Sequence, residues 1–263
     1  MKPPKYLFVA VFLLTTVIAR AQTVNVLPAG DFPRDESMRP INIVKLNLPA
    51  LVLKNISLQY ERVLTRKSAV ALSIRVMPKS TIPFKNLIID EVGDDDPDTK
   101  ETIEKVRFSN FAITPEFRWY VGREGYGKGF YIAPFYRFAG FKSHDLTFYY
   151  EDDFFNQQSI ALSGKLTSHT AGILFGAQWV FGKSIVLDWW ILGPHYGVGN
   201  GNFSGVSSTP LSPSEQDDLR QELEDLDIPL TNKTVTVNAN GANLKLDGPW
   251  GGVRAGISLG VRF

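Results

Sequence analysis

The sequence contains no cysteine among its 263 residues. This absence excludes disulfide scaffolds, thiol catalysis, thiolate-bound zinc and iron–sulfur clusters. A formal net charge of only +1 argues against a nucleic-acid-binding protein, because such proteins usually carry a strong basic excess. A mean hydropathy of −0.07 excludes a polytopic helical membrane protein. It leaves open a protein that crosses a membrane with strands, in which only alternate residues are apolar.

One long apolar run is present, at the start of the chain. Lys2 and Lys5 precede apolar residues 6–19, and Ala19-Arg20-Ala21 follows them. This order is typical of a secretory signal peptide, with cleavage expected near Ala21. The alternative is a membrane anchor, which is disfavoured because the run is shorter than the roughly 20 residues that a spanning helix needs. We therefore expect residues 1–21 to be a signal peptide and residues 22–40, with three prolines, to be an irregular lead-in.

Residues 41–263 show an apolar period of two, which is typical of strands with two unlike faces. Eight segments carry this pattern, and short and long connections alternate between them. The long connections are residues 78–107, 142–158 and 203–250. Such an alternation predicts an all-β fold, a single eight-stranded antiparallel transmembrane β-barrel with both termini on one side. A ten-stranded version would arise if residues 234–246 formed their own spanning pair, and a two-sheet sandwich is the soluble alternative.

Two segments carry a family resemblance. Residues 42–72 contain Lys45-Leu-Asn47 and Tyr60-Glu-Arg62, and the chain ends in Gly260-Val-Arg-Phe263. The first resembles the opening hairpins of uncharacterised Gram-negative outer-membrane barrels, similar in shape to the OmpA transmembrane domain. The second resembles the aromatic-ended signal read by the outer-membrane insertion machinery, with Phe263 as its last residue. The resemblance implies an outer-membrane location without the periplasmic domain of full OmpA proteins, and no catalytic residues.

Charged residues also fall on the face that the alternation turns into the barrel. They are Glu61, Arg75, Glu116, Arg118, Arg137, Asp188 and Arg254. A narrow interior tolerates charges when they are paired, so we expect a network that closes the lumen. The alternative is a gated narrow channel in which these pairs exchange partners. Tyr120, Tyr131, Phe135 and Trp190 are expected to fill the lumen as well.

The long connections are acidic, with a summed charge of −11, against +9 for the rest of the chain after residue 21. They could therefore bind a basic surface partner, or divalent cations shared with lipopolysaccharide phosphates. The third contains a helix signal: Ser212-Pro-Ser-Glu215 is a capping box, and Leu219, Leu223 and Leu226 recur at helical spacing. We expect this helix to be a lid on the loops or the rim, and a docking helix is the alternative.

Catalytic signals are weak. His144 and His169 flank the loop between the fifth and sixth expected strands, at the outer rim where outer-membrane lipid-modifying enzymes place their sites. Neither lies in a motif that fixes a nucleophile beside it, and three scattered histidines do not suggest a metal site. We expect no enzyme, cofactor or metal, and no nucleic-acid partner. The expected role is structural or surface-interacting, in contact with outer-membrane lipid and lipopolysaccharide. A gated channel and then a lipid-modifying enzyme are the alternatives.

Overall fold

A computed structural model of the chain describes residues 42–92, 97–152, 156–226 and 231–263, and the expected signal peptide and lead-in lie outside these ranges. The strands are β1 (Asn42–Asn47), β2 (Ile56–Val63), β3 (Ser68–Ser80), β4 (Arg107–Tyr120), β5 (Gly129–Glu151), β6 (Gln157–Phe181), β7 (Ile185–Val206), β8 (Asn232–Asn238) and β9 (Gly241–Arg262). The helices are α1 (Leu48–Val52), α2 (Lys85–Val92), α3 (Pro97–Lys105) and α4 (Pro213–Glu224). Across the described ranges, no helix has the length and apolar character needed to cross a membrane.

Eight of the nine strands form one antiparallel sheet that closes into a ring. Strands β1 to β7 pair in chain order, β7 pairs with β9, and β9 returns to β1. The seam between β9 and β1 is continuous, since Val44 pairs with Val261 and Leu46 with Leu259. Strand β8 pairs with β9 alone within the described residues, so the ring has eight strands and not ten.

The ring has an apolar outer face and a polar inner face, as its period-two sequence requires. Exposed outward side chains include Val44, Leu58, Val70, Leu72, Ile74, Phe111, Ile113, Phe117, Ile132, Ile173, Phe175, Leu259 and Val261. Buried inward side chains include Lys45, Gln59, Glu61, Ser73, Thr114, Glu116, Arg118, Thr170, Gln178, Asp188 and Ser258. A soluble domain places these two classes the other way round.

The wall of the ring is tall on one side and low on the other. Strands β5, β6, β7 and β9 have 22 to 25 residues, whereas β1 to β4 have 6 to 14. Helices α1, α2 and α3 occupy the connections on the low side. The strands of the tall side continue beyond the ring as a sheet, to which the β8–β9 hairpin adds one strand.

Polarity reverses along the tall wall. Beyond the ring, the outward residues are exposed and polar: Lys142, Lys165, Asn200, Asn202, Lys245 and Asp247. The inward residues are buried and apolar: Phe148, Ile160, Leu162, Leu244 and Leu246. We call this part of the molecule, residues 146–166 and 200–247 where they are described, the cap. It has its own apolar core, to which α4 contributes Leu219 and Leu223.

The prediction of a long connection over residues 142–158 is wrong. Strand β5 continues to Glu151 and β6 begins at Gln157, with a register shift between Ser143 and Leu146. Residues 203–250 are likewise mostly strand and helix. The sequence pattern fails here because the cap strands turn polar residues outward, and because β7 has glycines at alternate inward positions. Inward polar and outward apolar residues are the signal, and most positions of the cap strands have the opposite arrangement.

Candidate functional site

The centre of the lumen is a buried layer of four charges contributed by four strands of the ring. The Lys45 ammonium donates to Glu61 Oε2 at 2.5 Å and to Asp188 Oδ2 at 2.6 Å. The Arg118 guanidinium contacts the same two oxygens at 3.0 and 2.7 Å. All four side chains have no solvent exposure. Because β1, β2, β4 and β7 each contribute one charge, the layer ties opposite walls of the ring together; we call it the charge layer.

Neutral groups complete the hydrogen bonds of the charge layer. Tyr120 donates to Glu61 Oε1 at 2.6 Å, and Tyr131 donates to Asp188 Oδ1 at 2.8 Å. Gln178 Oε1 accepts from Lys45 at 2.6 Å. Every carboxylate oxygen in the layer therefore has a donor, which is the condition under which buried ions are tolerated. A β-carbon on Gly176 would lie 2.3 Å from the Tyr131 hydroxyl oxygen, so this glycine makes room for the Tyr131 ring.

A second layer lies next to it, toward the cap. Glu116 accepts from Arg254 Nη2 at 2.7 Å and from Arg118 Nη2 at 3.1 Å. Gln59 donates to Ser73 at 2.9 Å and to Glu116 at 3.2 Å. The Arg254 guanidinium carbon lies 4.5 Å from the centre of the Phe135 ring and 4.8 Å from that of Trp190. Both rings fill the lumen, and their faces stabilise the cation.

Two of the seven charges expected in the network lie outside it. Arg75 Nε donates to Asn55 Oδ1 at 3.0 Å, and Arg137 Nη1 donates to Thr114 Oγ1 at 3.2 Å. Neither guanidinium forms a salt bridge with a described carboxylate, so the expectation that all lumen charges are paired is wrong for these two. With His195 they form a third layer. The alternation predicts both arginines to face inward but says nothing about their partners.

Aromatic and apolar side chains cover the third layer on the cap side. The rings of Phe141 and Trp250 lie 5.6 Å apart, although β5 and β9 are separated in the sheet by β6 and β7. This contact therefore bridges two strands that are not paired. The apolar core of the cap follows it. The lumen thus has a charge layer toward the short turns and an aromatic contact toward the cap.

The helix expected in the last connection is present as α4. Ser212 Oγ accepts from the Glu215 amide and the Glu215 carboxylate accepts from the Ser212 amide, which confirms the capping box. Leu219, Leu223 and Leu226 are buried in the cap core. The leucine stripe therefore packs on the inward face of the tall wall, in the position expected of a lid. Burial leaves no apolar face of α4 for docking to another protein.

The sequence pattern does not predict four of the residues that lie in the lumen. Lys45 is buried at the centre of the charge layer; its strand has only six residues, and the apolar Ile43 shares its inner face, so the alternation is incomplete. The register of β7 and β9 shifts between Trp190 and Gly193. This shift leaves Leu192 exposed, where the alternation places it inward, and turns His195 inward. Trp250 is the last residue of the expected connection over residues 203–250, and Phe141 directly precedes the one over residues 142–158.

The remaining histidines are in strands and do not flank a loop. His169 is exposed on β6, where its Nδ1 shares a hydrogen bond of 2.5 Å with the Tyr136 hydroxyl. His144 pairs in register with Arg107 on β4. Among the described residues, no histidine hydrogen-bonds to a serine or a carboxylate, and no group of three or more His, Asp or Glu side chains could hold a metal ion. This geometry offers no activated nucleophile.

Phe263 stands at the seam of the ring. Its amide donates to the Asn42 carbonyl at 2.9 Å, its carbonyl accepts from the Asn42 amide at 3.0 Å, and its ring is 59% exposed.

No protein-family model matches the chain, and the searches of curated proteins and of solved structures find no match either. The resemblance of residues 42–72 and 260–263 to outer-membrane barrels therefore stays a prediction.

Proposed function

We propose that the chain is a small outer-membrane β-barrel with a closed lumen, which acts as a structural or surface-interaction protein and not as an enzyme. The observation that carries the proposal is the inverted polarity of the ring, apolar outside and charged inside. In water the outer face would be an apolar patch far larger than monomeric proteins expose. In lipid the same face is favourable, and the closed ring leaves no unpaired strand edge.

The edges of the apolar face support the same placement. Near the short turns, Trp119, Phe130, Trp179 and Phe263 are exposed, which is typical of an aromatic girdle at a lipid boundary. Toward the cap, the apolar face ends at a row of outward lysines. Lys142 pairs with Lys165, which pairs with Asn202, which pairs with Lys245. Neighbouring like charges destabilise a sheet unless anions separate them, so this row suits the phosphates of outer-leaflet lipopolysaccharide.

The cap is the part of the chain that this placement puts outside the cell. Its helix α4 carries Glu215, Asp217, Asp218, Glu222 and Glu224 in a segment with one arginine. A surface of this charge fits a basic partner, which it would attract over a distance of about 8–10 Å at physiological salt. Delivery to the membrane would use the expected signal peptide and the aromatic Phe263 end read by the insertion machinery.

Planar-bilayer recording tests the closed lumen against the gated-channel alternative. An eight-stranded ring has an interior just wide enough for side chains, and here buried side chains fill it. We expect no steady conductance from the full chain inserted in a bilayer. A shift in electrophoretic mobility between heated and unheated samples serves as the control for a folded, inserted protein. Large, steady conductance from material that passes this control contradicts the proposal, and so does recovery of the protein outside the outer-membrane fraction.

A further inference from the structure

The lumen contains more positive than negative charge. Between the charge layer and the Phe141–Trp250 contact, its cations are Lys45, Arg75, Arg118, Arg137 and Arg254. Its carboxylates are Glu61, Glu116 and Asp188. Glu61 and Asp188 are shared by Lys45 and Arg118, and Glu116 by Arg118 and Arg254. The two cations left over are Arg75 and Arg137.

These two arginines point to the same region as Arg254. Arg137 is close enough to Arg75 and Arg254 for their charges to act on it, and Arg75 is likewise affected by Arg254. Their neighbours in the sheet are small, since Arg75 pairs with Ala112, which pairs with Ala139, and Arg254 pairs with Gly193. No described carboxylate forms a salt bridge with Arg75 or Arg137, whereas Arg254 binds Glu116 and lies against the Phe135 and Trp190 rings.

Hydrogen-bonding atoms without a partner lie in this region. Arg254 has a side chain only 7% exposed, and its Nη1 is buried without a hydrogen-bond partner although its Nη2 is bound to Glu116. His195, on which the charges of Arg137 and Arg254 act, has a buried Nδ1 that also lacks a partner and donates or accepts depending on the tautomer. A buried donor without a partner costs free energy comparable to a lost hydrogen bond. The arrangement thus has two cations without a described carboxylate partner and one buried donor, Arg254 Nη1, without an acceptor.

We propose that Arg75, Arg137 and Arg254 form a binding site for a small oxyanion such as phosphate or sulfate inside the lumen. A guanidinium fork matches the oxygens of such an anion, and an anion held by three of these groups would supply both the missing negative charge and the missing acceptor. The charge layer on one side and the Phe141–Trp250 contact on the other limit the ligand to a small inorganic anion. A nucleotide or a lipid headgroup with its chains attached does not fit this description.

The proposal of an anion site adds to the proposal of a closed barrel and does not depend on it. It is tested by titrating inorganic phosphate into the full chain folded in detergent micelles, in a chloride-free buffer, with thermal unfolding and calorimetry as readouts. The test variant is Arg75→Gln/Arg137→Gln, which removes the two cations that have no carboxylate. The matched control is Arg66→Gln/Arg123→Gln, which removes the same charge from exposed turn residues.

We expect phosphate to raise the melting temperature of the wild-type chain and of the control variant. At 100 times the dissociation constant, the ratio of folded to unfolded protein rises about 100-fold. In the Arg75→Gln/Arg137→Gln variant this dependence disappears, while its melting temperature without phosphate exceeds that of the wild type because like charges no longer repel. Arg137→Lys keeps the charge without the fork and should bind phosphate more weakly.

Three results would overturn the proposal. The first is a wild-type melting temperature that does not respond to phosphate or sulfate. The second is a phosphate response that persists in Arg75→Gln/Arg137→Gln or is lost from the control variant. The third is failure of Arg75→Gln/Arg137→Gln to fold, since removal of uncompensated charge should stabilise the lumen. Conductance and fractionation results do not enter this test, so the proposal and that of the closed barrel can fail separately.

Discussion

The inside of the ring and the inside of the cap are two cores built on the same strands. The ring is held by buried ions, with Lys45 and Arg118 between Glu61 and Asp188. The cap is held by buried leucines and aromatics, with Leu219 and Leu223 at its centre. Strands β5, β6, β7 and β9 pass through both without interruption.

The difference between the two cores corresponds to the polarity of the outer face of the sheet around each of them. Where the outer face is apolar, the inner face is free to hold the polar side chains that fix register and close the ring. Where the outer face is polar, the hydrophobic effect has to come from the inner face, as in a soluble domain. The two cores should therefore fail in different ways, and the ring should be the more sensitive to loss of a single side chain.

The largest expected effect comes from Arg118→Met. Arg118 contacts Glu61, Glu116 and Asp188, so its loss leaves buried carboxylates with too little positive charge. Breaking such a buried network costs about 3–5 kcal/mol of unfolding free energy. Urea unfolding in lipid vesicles, followed by tryptophan fluorescence, measures the loss. Arg66→Met removes an exposed arginine as the control, and an equal loss in both variants would show that the charge layer does not stabilise the ring.

Leu219→Ala should damage the cap and spare the ring. The Leu219 side chain is fully buried among the cap residues, and truncation of a buried leucine costs about 2–5 kcal/mol. Because the cap core is separate, local opening should increase there while the ring stays closed. Limited proteolysis of α4, together with the unheated electrophoretic mobility, separates the two outcomes. Gln221→Ala, exposed on the same helix, is the control; loss of the folded mobility in Leu219→Ala alone would mean that the two cores unfold together.

Ser212→Ala tests how much the N-terminal cap contributes to the stability of α4. The Ser212 hydroxyl accepts from the Glu215 amide, and loss of such a cap costs about 1 kcal/mol of helix stability. We expect faster cleavage in α4 than in the wild type and slower cleavage than in Leu219→Ala. Ser208→Ala alters an exposed serine outside the helix and should leave the rate unchanged. A rate equal to wild type in Ser212→Ala would indicate that packing alone holds α4.

The smallest effect is expected at Glu222 and depends on pH. Burial, and then the charge of Asp225, raise the pKa of the Glu222 carboxyl above its ordinary value of 4.5. The folded cap therefore holds this proton more tightly than the unfolded chain does. The resulting stability is fully present below the unfolded-state pKa and is lost as pH rises through the folded-state pKa. Glu222→Gln should slow cleavage of α4 at neutral pH, within about 0.5 kcal/mol, and flatten this pH dependence. Unchanged pH dependence of the cleavage rate would contradict it.

Much of the ring could be predicted from alternation alone. Glu61, Glu116, Arg118, Asp188 and Arg254 all occupy polar positions between outward apolar residues, and all five are buried inside. The closed sheet follows from eight such segments with alternating connections. The capping box of α4 was equally local, because it depends on Ser212 and Glu215, which lie three residues apart.

The rest depends on relations that one sequence does not display. The salt bridge between Lys45 and Asp188 joins residues 143 positions apart, and no local pattern selects that pair. The register shift near Trp190 reverses which later residues of β7 face inward. The cap strands were missed because their polarity is opposite to that of the ring, so a pattern sought in one core is absent from the other.

The seam between β1 and β9 affects the order in which the parts of the sheet can form. It joins residues near position 45 to residues near position 260, and Lys45 carries the charge layer across it. Loop-closure entropy must be overcome before such distant contacts contribute, and sheets dominated by them fold in milliseconds to seconds, not microseconds. The β5–β6 and β6–β7 hairpins can form early, whereas the seam belongs to the last step. Until that step, Asp188 lacks the Lys45 ammonium, which the β1–β2 hairpin can already place beside Glu61, 16 positions away.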